Sequence, residues 1–323
     1  MKVHFFINRS GLCDIIAPKN TIKVGKNMWN VTIKAAPPYD FDRVLERLSL
    51  DPLNKVDVHK RTVLVPLYSE KEEPFVAAVK AIGSKENPVF EISGEQDEQK
   101  ERAIHELTRI FQWKNSLKTI QDHFLQTNLA PLFQEHEGTP LVLDFHPYAC
   151  LMKCIIHQQL NLSFAYQLTT AFVQTFGFKV DNVWFYPKPE TVAKLNYENL
   201  RALKFSMRKA EYVIDTSRLI AEGALPLQAF HEWSDDDIMK KLVQVRGIGP
   251  WTVQNFLLFG LGRPNLFPAA DIGLQNAIKH YFQLEKKPTK EEMENYSREW
   301  APYLSYAAFY LWRSIEKRRG EAK

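Results

Sequence analysis

The feature that most restricts this chain is a glycine–proline turn between two apolar-faced stretches, Arg246-Gly247-Ile248-Gly249-Pro250. Upstream, Ser234 followed three residues later by Asp237 opens a helix in capping-box style, with Asp where Glu is usual. Asp235 and Asp236 add negative charge to its first turn, and Ile238, Leu242 and Val245 mark its buried face. That helix must stop at the turn, because two glycines and a proline cannot continue it. Pro250 suits the first position of a second helix, running through Trp251-Thr252-Val253-Gln254-Asn255-Phe256-Leu257. The spacing predicts helix, tight hairpin, helix. Such a hairpin aims unpaired backbone N–H groups outward at a helix start, and glycines let an anion approach them. A nucleic-acid phosphate is the natural anion for a turn without base-reading side chains. An ordinary helix corner gives the same GxGP pattern when that pattern stands alone.

Beyond the second helix comes Leu266-Phe267-Pro268-Ala269-Ala270-Asp271-Ile272-Gly273-Leu274. Pro268 breaks what precedes, and Leu274, Ile278, Tyr281 and Phe282 begin another amphipathic helix with Asp271 at its start. An aspartate there is commonly an N-cap. The helix dipole also keeps it ionised, which suits it to stabilising positive charge.

The rest of the chain divides near residue 113. Residues 1–113 read as an α+β module. Trp29, Val31, Ile33 and Ala35 alternate with polar neighbours, segments 61–67 and 88–92 look like further strands, and Phe41, Val44, Leu45 and Leu48 form a helix stripe. Residues 114–323 read as helical almost throughout, with apolar faces at Tyr148, Leu151, Met152, Ile155 and Ile156, then at Phe164, Leu168, Phe172 and Phe176, closed by Gly177. A length of 323 residues fits two or three domains. With 42 basic and 38 acidic residues the net charge is only +4, so basicity alone does not identify a nucleic-acid partner.

Composition excludes several classes. Three cysteines (Cys13, Cys150, Cys154) cannot build a disulfide framework or a four-cysteine iron–sulfur cluster. Cys150 and Cys154 fall in an apolar helical run, which reads as small buried hydrophobes. His146, His157, His231 and His280 are scattered, without metal-ligand spacing. No apolar stretch is long enough to span a membrane and the first residues do not form a signal peptide, so a cytosolic location is expected. The tail Lys317-Arg318-Arg319 reads as a solvated helix end.

Taken with their spacing, the hairpin and the proline loop ending in Asp271 resemble the helix–hairpin–helix DNA glycosylase superfamily, in particular its AlkA-like 3-methyladenine DNA glycosylase II type. Ile155-Ile156-His157-Gln158-Gln159-Leu160-Asn161 is similar to the family's DNA-gap loop. Met207-Arg208-Lys209-Ala210 looks like its RKA helix start, and Trp300-Ala301-Pro302-Tyr303 with Trp312-Arg313 looks like its terminal helix. The resemblance covers Tyr148 to Arg313 and extends weakly to the first module. It implies an α+β N-terminal domain, then an all-α bundle whose two helical subdomains flank a cleft. It further implies a monomer that flips a damaged base out of double-stranded DNA and cuts its N-glycosidic bond. Alkylated purines (3-methyladenine, 7-methylguanine) are the implied substrates, with hypoxanthine as an extension.

Residue by residue, the family's catalytic aspartate matches Asp271 and its phosphate-binding hairpin matches Arg246, Gly247, Ile248, Gly249 and Thr252. Base-pocket positions match Trp251, Asn255, Ile272 and Tyr303, and the gap-filling residue matches Gln159 or Leu160. Trp251 has core as its lesser alternative, whereas Tyr303 reads as readily as buried structure. Trp251 occupies the position of the nucleophilic lysine of the lyase branch, which points to a monofunctional enzyme rather than an 8-oxoguanine glycosylase/lyase. A non-catalytic DNA-binding module is the remaining rival. Asn255 and Ile272 stand where the family commonly has aromatics, and His157 where it often has a small residue. No side-chain metal site or organic cofactor is expected, although the family's hairpin often holds a monovalent cation on backbone carbonyls.

Overall fold

Period-two alternation, β-branched residues and short polar turns build the first part of the chain. The computed structural model describes residues 2–7, 13–16 and 28–316, with side chains from residue 28 onward. The Cys13 side chain and the tail Lys317-Arg318-Arg319 lie outside them. Among the described residues, the strands here are β1 Lys2–Ile7, β2 Cys13–Ile16, β3 Trp29–Lys34, β4 Lys55–Asp57, β5 Thr62–Tyr68, β6 Pro74–Ala81 and β7 Val89–Gly94. They form one sheet in the order β2-β1-β3-β7-β6-β5-β4, in which β1 and β3 run parallel and the other neighbours antiparallel. Helix α1, Phe41–Leu48, begins where Asp40 Oδ1 accepts from Arg43 N at 3.1 Å. With α2, Lys100–Ile110, it covers one sheet face, whose buried side chains include Val31, Ile33, Val65, Val79, Phe90 and Ile92. Strand β6, Pro-Phe-Val-Ala-Ala-Val-Lys-Ala, carries three alanines, which have little strand propensity. Pairing on both sides makes it a strand nonetheless.

The remaining helices are α3 Leu117–Phe124, α4 Ala130–Glu135, α5 Pro147–His157, α6 Leu162–Phe176, α7 Pro189–Ala193, α8 Tyr197–Arg201, α9 Met207–Ala221, α10 Asp235–Leu242, α11 Pro250–Phe259, α12 Ile272–Tyr281, α13 Lys290–Ser297 and α14 Leu304–Ile315. The helical part is not wholly α. A short hairpin, β8 Phe178–Val180 with β9 Val183–Phe185, follows α6 because Asp181 and Asn182 both take positive φ, the requirement of a two-residue turn matched to strand twist. Gly177 does end α6, but with φ −81 rather than in the left-handed region. A Cβ there would meet Phe185 O at 2.3 Å. No helix of the described residues is long and apolar enough to cross a membrane.

Two cores result. One belongs to α5–α11 and contains the buried Cys150 and Cys154. The other runs without a break from the sheet into α3, α4, α12 and α14, so apolar packing continues across residue 113. Trp113 sits in that seam, 1% exposed, stacked 4.9 Å from Phe90 of the sheet and 5.3 Å from Phe111. Between the two cores lies the interhelical cleft described below. Trp113→Ala should lower the unfolding free energy by about 3–5 kcal/mol. Urea titration followed by fluorescence and circular dichroism tests this, and a loss below about 1 kcal/mol would show that the sheet and the bundle do not depend on the seam.

Candidate active site

Asp271 caps α12 with extended backbone (φ −72, ψ 123), and its Oδ1 accepts from Leu274 N at 2.7 Å. The same oxygen accepts from Trp312 Nε1 on α14 at 2.9 Å, and Oδ2 accepts from Trp251 Nε1 in the first turn of α11 at 2.7 Å. Three helices therefore grip one carboxylate. The cap and the cleft-facing role, alternatives in the sequence, coexist in one side chain. Gly273 packs close to the pair: a Cβ there would lie 3.0 Å from Asp271 Oδ1 and 3.4 Å from Trp312 Nε1, so both side chains would have to give by a few tenths of an ångström.

The hairpin between α10 and α11 is built as its sequence dictates at both ends. Ser234 Oγ accepts from Asp237 N at 3.1 Å, but the Asp237 carboxylate takes the Ser234 hydroxyl (2.7 Å) instead of a backbone N–H. That leaves the capping box half made. Gly249 is the N-cap of α11 and Pro250 opens its first turn. The two glycines serve different ends. Gly247 has φ +91 and packs on Tyr212, whose ring would lie 2.2 Å from an added Cβ. At Gly249 an added Cβ would meet nothing within 4 Å, so this side of the turn is open to an incoming group beside the first-turn N–H groups of α11. Ile248 and Thr252 are buried and hold the turn from within. Arg246 is exposed, paired with Glu211 at 2.6 Å and lying over Tyr212. Gln158 ties the turn to the α5–α6 loop, its Nε2 donating to Gly247 O (2.8 Å) and Thr252 Oγ1 (2.7 Å). A monovalent cation would rest on the turn's carbonyls. Gly247 O already accepts from Gln158 and Val245 O from Ile248 N, so two of those carbonyls are engaged within the protein.

Beside the hairpin, the α5–α6 loop stands at the rim of a cleft of about 1780 Å³ that brings together Gln159, Leu160, Arg246, Gly247, Ile248, Gly249, Trp251, Thr252, Asn255, Asp271 and Ile272. Gln159 is exposed with left-handed φ (+56), at the tip of the loop. Lys209 Nζ donates to Ile155 O and Gln158 O at 3.1 and 3.0 Å, fixing the loop's base, while burial lowers its ammonium to about 8. Past Trp251 and Asn255 the cleft adjoins a smaller pocket of about 300 Å³, lined also by Phe259, Phe309, Tyr166 and His157. Asn255 Nδ2 donates to Trp251 O at 2.8 Å. Burial, seconded by the Lys153 charge, pushes the His157 imidazole down to about 3, so the ring is neutral at pH 7.

Two expected pocket residues form no wall of the cleft. Tyr303 packs at the N-terminal end of α14, edge-on to His123 at 5.4 Å, and does not line the cleft among the described residues. Ile272 lines the rim but is 64% exposed, so it forms no wall. Trp312, Gln158 and Gly273 emerge only from the structure. Among the described residues no cluster of His, Cys, Asp or Glu could hold a metal.

Comparison with known proteins now decides the family. The model of the HhH-GPD superfamily base excision DNA repair proteins matches residues 152–303. YfjP of Bacillus subtilis is 60% identical over 289 residues, covering 90% of this chain and all of that one. The chain belongs to the HhH-GPD superfamily. A DNA-3-methyladenine glycosylase of the same bacterium is 34% identical over 224 residues, covering 63% of this chain and 74% of its own. The fold matches the Archaeoglobus fulgidus 3-methyladenine DNA-glycosylase with a TM-score of 0.76 at 20% identity, over 88% of this chain and 97% of that one. Schizosaccharomyces pombe Mag1, solved with abasic DNA, matches at 0.52 and 27% identity, over 61% of this chain and 96% of its own.

The two hairpin glycines should separate stability from DNA affinity. Gly247→Ala is expected to cost about 1–3 kcal/mol of stability through its positive φ, beyond which the Tyr212 ring must shift. Gly249→Ala should stay within about 0.5 kcal/mol of wild type yet weaken binding to duplex DNA severalfold. Thermal unfolding and fluorescence anisotropy measure the two effects. Equal effects from both variants would contradict the division of labour.

Proposed function

We propose that this protein is a monofunctional DNA glycosylase that acts as a monomer on double-stranded DNA containing a damaged base. It extrudes an alkylated purine and hydrolyses its N-glycosidic bond in base excision repair. The observation that carries this reading is the Asp271 carboxylate, fixed by three N–H donors on the wall of a cleft that also contains an open helix start. Breaking the bond builds oxocarbenium charge on the deoxyribose, as in glycoside hydrolysis. A carboxylate about 4 Å from that charge, at an effective dielectric near 20, is worth roughly 4 kcal/mol, or about a thousandfold in rate. An alkylated purine already carries positive charge as a leaving group, so one anchored carboxylate and a water suffice without a metal or cofactor.

The remaining parts fit this chemistry. First-turn N–H groups of α11 beside the bare Gly249 would take a phosphate, and Arg246 would exchange Glu211 for another. Gln159, at the loop tip, would fill the gap left by the extruded base, with Leu160 behind it. Trp251 donates its indole N–H to Asp271 and lines the cleft, where an electron-poor base would stack on it.

A lyase would need a free amine at this point. Lys209 is the lysine lining the cleft among the described residues, and its Nζ is committed to two backbone carbonyls. Lys153, in the adjoining pocket, is held as an ammonium. Burial opposes its charge, but Asp144 and Asp51 overcome that and raise it well above the ordinary range. Borohydride should therefore trap no covalent adduct on damaged DNA.

Asp271→Asn should lower base release from a methylated duplex by about a hundredfold or more while duplex affinity stays within a few-fold. Asparagine keeps an acceptor for the helix cap but loses the charge. Chromatography of released bases and anisotropy of binding give the two numbers. Wild-type turnover in the variant would remove Asp271 from the mechanism, and a borohydride-stable adduct would transfer the chain to the lyase branch.

A further inference from the structure

The pocket behind Trp251 and Asn255 carries a group of charges that the mechanism above does not use. Lys153 Nζ lies 2.6 Å from Asp144 Oδ1 and 3.2 Å from Asp51 Oδ2. The three come from separate parts of the fold: Asp51 follows α1 of the sheet module, Asp144 precedes α5, and Lys153 lies within α5. They are not equally committed. Asp51 is 7% exposed, and its Oδ1 accepts from Leu53 N at 3.0 Å. Lys153 and Asp144 keep 21% and 22% of their side-chain surface, and both line the pocket. Removing such charges from water is costly, and packing alone would be served as well by apolar residues.

Counting donors and acceptors gives the group a direction of use. An ammonium has three N–H donors; one goes to Asp144 and the Asp51 contact at 3.2 Å is an ion pair, so donor capacity is left over. The Asp144 carboxylate accepts from Lys153 on Oδ1 and also from the Cys150 thiol, and its roughly four lone-pair sites still leave acceptor capacity. One donor and one acceptor thus sit side by side in a pocket at the lower end of ligand-pocket size, lined also by Phe259 and Tyr166.

We infer that Lys153 and Asp144 are specificity-determining residues that read the edge of a 6-oxopurine: Lys153 donates to O6 while Asp144 accepts from N1–H and, in a guanine-type base, from N2–H. A 6-aminopurine offers the reverse order, a donor at position 6 and an acceptor at N1. The bond to a sugar lying beside Asp271 fixes its approach, so a mismatched edge leaves the ammonium and the carboxylate facing like groups. The inference rests on the glycosylase reading above and adds a preference within it: 7-methylguanine and hypoxanthine ahead of 3-methyladenine.

Methylated duplex DNA supplies 7-methylguanine and 3-methyladenine together, so their release rates are compared in one reaction. Asp144→Asn, close to isosteric, and Lys153→Met should each lower release of 7-methylguanine about tenfold, with 3-methyladenine changed less than threefold. A merely structural ion pair would lower both in parallel, and that result, or an unchanged ratio, overturns the inference. Quenching of wild-type tryptophan fluorescence by free guanine and free adenine is the second measurement, independent of excision and of variant folding. Guanine binding at least tenfold tighter than adenine is expected, and equal binding overturns the inference. If no methylated base is released while guanine still binds selectively, the glycosylase reading fails and the edge-reading pocket stands.

Discussion

Asp271 depends on the grip of two indole N–H groups and one backbone N–H, and much of the molecule is arranged to deliver them. Trp251 arrives from the helix after the hairpin, Trp312 from the end of the chain's last described helix, and Leu274 from the helix that Asp271 itself caps. A carboxylate held from three directions loses little freedom when charge develops nearby, which is the condition for electrostatic stabilisation without reorganisation. Because α12 and α14 belong to the core shared with the sheet while most of α11 packs into the other core, the grip also ties the two walls of the cleft together.

Seen from that carboxylate, the hairpin and the α5–α6 loop form one unit. Gln158 bonds to Gly247 O and Thr252 Oγ1, and Lys209 holds the carbonyls at the base of the same loop. The hairpin and the loop tip that carries Gln159 are therefore mechanically connected through these four hydrogen bonds. The polar side chains that do this lie beneath the surface. Gln159 and the open flank of Gly249 are left facing solvent.

Much of this was legible in the sequence because it rests on short-range backbone rules. Gly–Ile–Gly–Pro stops one helix and starts the next, Pro268 breaks the chain before Asp271, and Ser206, Ser234 and Asp271 all cap the helices that follow them. Features that depend on distant segments meeting were not legible. Trp312 and Asp271 are 41 residues apart, and Asp51 and Lys153 meet from the sheet module and the helical part. Tyr303 lies away from the cleft for a related reason. The terminal helix approaches the cleft with its far end, and nine residues at 1.5 Å each put Tyr303 about 13 Å along the axis from Trp312. Asn255 and Ile272 stand where the family commonly has aromatics, but nothing there announces the charges of the adjoining pocket, of which Asp51 and Asp144 come from segments before the matched residues.

The account stands or falls on whether Asp271 faces positive charge developing on the sugar. Duplexes carrying either a cationic pyrrolidine or a neutral tetrahydrofuran in place of one nucleoside present the same shape with and without that charge. Wild-type protein should bind the cationic duplex at least tenfold more tightly at low salt, and Asp271→Asn should abolish the difference. Equal affinity for both duplexes in the wild type would contradict the central claim.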